Sequence, residues 1–165
     1  MPAHNIHMKW AEKLGLFKDS GLLGIFECAK VDCMIDSPES YLNEFKSLKE
    51  RWNEGLRPKM KHDYSRVDKE VMRLYLDLME RKGNNYVKAF FLHHLLDALA
   101  GQNIIEDRKS LLIANGNSGQ FEGDFLKIIE RHGLMKEYEE VLSFVRKNIN
   151  EILQDLENRE ERFYP

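Results

Sequence analysis

The chain of 165 residues has little of what would tie it to several common protein classes. It carries only two cysteines, Cys28 and Cys33 in the segment ECAKVDC, which form neither a CxxC motif nor a disulfide framework. A reduced, cytoplasmic setting is the expectation, with both thiols filling core space. No apolar run reaches the roughly 18 residues that a membrane span requires, so no membrane association is expected. Charge of neither sign prevails: 25 Lys and Arg stand against 28 Asp and Glu, for a net charge of −3, and the signs alternate along the chain. A phosphate backbone demands a basic stripe, and without one nucleic-acid binding is not expected. The opening MPAHNIHMKW lacks the basic-then-apolar profile of a signal peptide. The glycine loops that cradle nucleotide phosphates are missing, and so is the GxSxG nucleophile elbow. No alternation of period two marks a strand.

What the chain does have is helical period. A first helix is expected over residues 5–14, ending near Gly15. The apolar stretch 22–35 reads as a second, weakened by Gly24. Ser37 and Pro38 then suit the cap and first position of a helix whose stripe is Tyr41, Phe45, Leu48 and Trp52. After the break at 55–58, Ser65 and Asp68 open a helix with Val67, Val71, Leu74 and Leu78 on one side, closed by Gly83. The segment NGNSGQFEGD, residues 115–124, reads as a loop. From 134 to 158, Tyr138, Leu142, Val145, Ile149, Ile152 and Leu156 keep a heptad rhythm, which suits either a seam inside a bundle or a homodimer contact. Residues 158–165 read as a frayed tail. The expected architecture is all-α: a single-domain helical bundle of five to seven helices spanning 1–165.

One helix stands apart. In AFFLHHLLDALAG, residues 89–101, apolar side chains occupy every side, yet His93, His94 and Asp97 lie among them. A helix without a water-facing stripe is enclosed. An unpartnered polar group inside a protein costs roughly 1–3 kcal/mol, and an unpaired charge more. His93 and Asp97 are four apart and share a face, whereas His94 points about 100° away. Other histidines can supply partners: His4 and His7, three apart and on one face where that end is helical, and His62 beside Asp63. Imidazole and carboxylate are ligands of zinc, manganese and iron, and helical bundles build metal sites from groups projecting inward from several helices. Binding to such a group should weaken as pH falls through about 6, because histidine coordinates only when neutral. His132, just before Gly133, reads as a helix C-terminal histidine facing the dipole.

An early histidine, a His-Asp dipeptide at His62-Asp63, and a later histidine and aspartate on an all-α chain resemble the HD-type metal-dependent phosphohydrolases. The HxxxD step of His93 and Asp97 is also similar to the helical zinc phospholipase C and nuclease fold. The first resemblance implies that His7, His62, Asp63 and Asp97 bind divalent metal, with His93 or His94 as further ligands or as groups meeting a phosphate. It also implies attack of a metal-activated water on a phosphate ester. Lys61 and Arg66, flanking the dipeptide, would meet the negative charge of a small phosphorylated substrate. The rival expectation is a non-catalytic helical adaptor or regulator, associating through 134–158, whose histidines satisfy one another.

Overall fold

The structure, a computed structural model of the chain, describes residues 4–16, 18, 30, 31, 34, 50, 69–100 and 123–163. Those residues form six packed helices and no strand: α1 (His4–Leu14), α2 (Lys69–Lys82), α3 (Asn84–Ala100), α4 (Gly123–Arg131), α5 (Met135–Lys147) and α6 (Ile149–Phe163). Lys30, Val31 and Met34 are also helical, inside the expected 22–35 segment. The Tyr41–Trp52 stripe and both cysteines lie outside the described residues. None of the described helices is long and apolar enough to cross a membrane.

Helix ends follow from local chemistry. Gly15 (φ +83°) and Gly133 (φ +70°) adopt the left-handed conformation that glycine takes without penalty. At each, two crossed backbone bonds close the helix. Gly15 N–H donates to Glu12 O and Leu16 N–H to Ala11 O; Gly133 N–H donates to Glu130 O and Leu134 N–H to Ile129 O. The residue after each glycine, Leu16 or Leu134, is buried along with its helix partner Ala11 or Ile129. This pairing anchors the chain as it leaves the helix.

The helix expected over 134–158 is two helices. Asn148 interrupts it with φ −106° and ψ 15°. Its side-chain amide donates to Phe144 O at 2.8 Å, and its backbone N–H turns to Arg146 O and Phe144 O. A short polar side chain that competes for backbone acceptors breaks regular helix. The seam survives the break: Tyr138, Leu142, Val145, Ile149, Ile152 and Leu156 are all buried within the one chain. Beyond it, α6 runs to Phe163, into the segment read as a tail. The loop expected at 115–124 gives way to helix before its end. Its last two residues, Gly123 and Asp124, already belong to α4, drawn into the helix whose Ile128 and Ile129 enter the core.

Helix α3 sits at the centre and packs against α1, α2 and α5. Val87, every side chain from Ala89 to Asp97, and Leu99 are buried. Ring contacts mark two of these interfaces and the approach of α1 to α5. Phe90 stacks on Tyr75 of α2 at 5.9 Å, Phe91 meets Tyr138 of α5 edge-on at 5.4 Å, and Trp10 of α1 meets Phe144 of α5 edge-on at 6.1 Å. Each apolar side chain so enclosed contributes roughly 1.5–3 kcal/mol. This packing takes the Ala89–Asp97 stretch of α3 out of water, His93, His94 and Asp97 included.

Candidate metal centre

Two helices bring the site together. Helix α1 buries Ile6, Trp10 and Ala11, and between them His7 is carried inward. Helix α3 contributes His93 and Asp97, one turn apart. Asp97 presents an oxygen to each histidine: Oδ1 lies 3.2 Å from His7 Nε2, and Oδ2 lies 3.0 Å from His93 Nε2. The two imidazoles are stacked, with centroids 4.3 Å apart and planes 17° from parallel. His7, His93 and Asp97 are 5%, 2% and 5% exposed, so the carboxylate and both rings are enclosed by protein.

One donor atom from each of these residues lies within 4.8 Å of the others, so the buried His7–His93–Asp97 group can hold a metal ion. Two imidazole nitrogens and one carboxylate oxygen suit zinc and iron better than calcium or magnesium, which favour all-oxygen sites. A cation among them would also offset the cost of keeping a carboxylate away from water.

His94, the other predicted ligand of the pair, does not join the three donors. It is buried, but its ring meets Phe90 edge-on at 4.4 Å and lies 5.5 Å from that of His93, nearly perpendicular. The rotation of about 100° between neighbouring helix residues turns it toward α3's own aromatic side. His62, Asp63, Lys61 and Arg66 lie outside the described residues.

His132 has partners beyond its own helix. It follows the last residue of α4, as the sequence reading has it, and its Nδ1 lies 2.7 Å from Glu80 Oε1 and 3.5 Å from Asp77 Oδ1, both on α2. Asp77, Glu80 and His132 make a second group of donors at the surface. The signal for it was the acidic pair at i and i+3 of α2, which puts both carboxylates on one face. Their partner comes from a distant turn that local spacing does not reveal.

Comparison of the chain with protein-family models, curated proteins and solved structures gave no match.

Proposed function

We propose that this chain is a metal-dependent hydrolase of phosphate esters, with its ion held by His7, His93 and Asp97. One observation carries the reading: α1 and α3 converge three donors of hydrolytic-metal type on one buried point. Structural zinc sites close with four protein ligands, whereas catalytic ones use three and leave a position for water. An ion held by His7, His93 and Asp97 would supply a water acidic enough to attack at neutral pH and would polarise a phosphoryl oxygen. The resemblance to HD-type phosphohydrolases supplies the substrate class. By that resemblance His62 and Asp63 extend the ligand set, and Lys61 and Arg66 receive the phosphate charge.

The test is elemental analysis of protein purified without a histidine tag, followed by turnover of a generic phosphomonoester and phosphodiester with zinc, manganese or iron(II). Stoichiometric metal with turnover that disappears in Asp97→Asn supports the proposal. Metal at background defeats it.

A second reading has its own supporting observation. The three donors already stand close enough to satisfy much of one another's polarity inside the core. On that reading the chain is a non-catalytic adaptor or regulator, using the charged outer sides of α5 and α6 to associate with a partner or a second copy. It predicts no metal, and an Asp97→Asn protein that differs only in stability.

A further inference from the structure

We infer that α1 is the gate through which an ion enters and leaves the His7–His93–Asp97 centre, and that Asp155 on α6 is its latch. The inference rests on the metal-binding reading above and adds how access to the site is controlled.

All three donors are at most 5% exposed, so an ion cannot reach them unless some element moves. Helix α3 cannot be that element without opening the core, since it packs against α1, α2 and α5. Helix α1 is only 11 residues long. Helices of that length are marginal alone in water, so contacts with neighbours decide where it sits.

Besides the burial of Ile6, Trp10 and Ala11, its polar contacts among the described residues fall in two places. His7 faces Asp97 and His93 of α3. Three residues on, and so on the same side of the helix, the Trp10 indole Nε1–H donates to Asp155 Oδ2 at 3.0 Å. Lys9 Nζ donates to the same oxygen at 2.6 Å. Lys13 pairs with Glu151 at 3.0 Å, and its ammonium stands 4.6 Å from the Trp10 ring centroid.

These contacts differ in strength. Trp10 is fully buried, and Asp155 retains 22% of its side-chain exposure. A hydrogen bond from a buried donor to a carboxylate is of the strong, charge-assisted kind. Lys13 and Glu151 are 44% and 63% exposed, where an ion pair contributes little. Asp155 is therefore the stronger polar hold on α1, added to the burial of its apolar side, and helps to keep His7 seated.

This arrangement separates rate from affinity. While α1 is seated nearly all the time, loosening the latch raises the frequency of opening without altering the seated site. Asp155→Asn keeps the shape and removes the charge, so α1 should open about tenfold more often. Ion uptake and release should both quicken by that factor, with equilibrium affinity unchanged within about twofold. In the wild type the reciprocal effect holds. An ion that binds only the seated form suppresses opening, by about 100-fold at 100 times its dissociation constant.

The experiment measures zinc affinity, and zinc release into excess chelator, for wild type, Asp155→Asn and Glu151→Gln. It also follows amide hydrogen exchange of residues 5–14 in the wild type with and without zinc. About tenfold faster release from Asp155→Asn at equal affinity, with Glu151→Gln near wild type and zinc-protected α1 amides, establishes the gate. Zinc that binds but leaves α1 exchange unaltered, or release that Asp155→Asn does not speed, overturns the gate and spares the site. Wild-type protein that takes up no zinc removes both. The exchange measurement needs no substitution, so a misfolded variant does not blunt the test.

Discussion

His7 and Asp97 approach to 3.2 Å between Nε2 and Oδ1, and through this contact the first helix meets the most deeply enclosed one. The opposite oxygen of the same carboxylate lies 3.0 Å from His93. One aspartate thus faces two stacked imidazoles, and its removal affects both.

Asp97→Asn should therefore lower metal affinity by more than the roughly 10–100-fold that outer partners of a ligand typically cost. Asp97→Ala should in addition leave two buried imidazoles facing no carboxylate, at about 1–3 kcal/mol of stability. Elemental analysis and thermal melting, run on the same preparations, check the two effects separately. Unchanged metal content in either variant would remove Asp97 from the ligand set.

Val145 and Ile149, on either side of the break at Asn148, are 0% and 5% exposed. A charge at either has no partner in the core, so Val145→Asp or Ile149→Asp should destabilise by about 4 kcal/mol or more. Ser143→Asp, on the exposed side of α5, should stay within about 0.5 kcal/mol. Chemical denaturation distinguishes them, and equal midpoints would mean that the seam is not packed as described.

Gly133 offers a cleaner measure of backbone cost. A Cβ there would meet nothing within 4 Å, so Gly133→Ala should lose only the penalty of left-handed φ, about 1–2 kcal/mol. Gly133→Asn should lose less, because asparagine tolerates that conformation. If the alanine variant melts with the wild type, the turn does not hold this φ in solution.

The Lys88–Glu140 contact, 2.6 Å between α3 and α5, carries a pH dependence. The hydrogen bond from Lys88 and its charge, with a smaller contribution from Lys136, hold the Glu140 carboxyl below the ordinary glutamate value. A carboxylate more acidic in the folded than in the unfolded chain adds stability above the unfolded pKa of about 4.3. That stability drains away as pH falls through the lower folded value. The difference between wild type and Glu140→Gln should accordingly vanish in strong acid and reach its full, small size above about pH 5. A difference constant with pH would show that the bond does not form in solution.

Much of this could be read before any fold was known, and the particular elements show why. Helix hydrogen bonds connect residues four apart, and a glycine that ends a helix acts on its immediate neighbours. The period of α2 and the stops at Gly15 and Gly83 are therefore local facts. The enclosure of α3 was equally legible, because a helix apolar on every side leaves no face for water. Asn148 was not, since the heptad rhythm runs through it undisturbed and the interruption shows only in its backbone angles and its side-chain bond to the Phe144 carbonyl.

By itself the sequence determined that His93 and Asp97 would be buried together, one turn apart on a helix with no polar face. Tertiary structure decided which groups meet them. His7 arrives because α1 packs on α3, His94 turns toward Phe90, and His132 finds Asp77 and Glu80 across an interface. The physical reason is that periodicity specifies which side of each helix is apolar. Which helices lie against each other, and at what height, follows from how all the apolar sides pack together at once, and no single stretch of sequence carries that information.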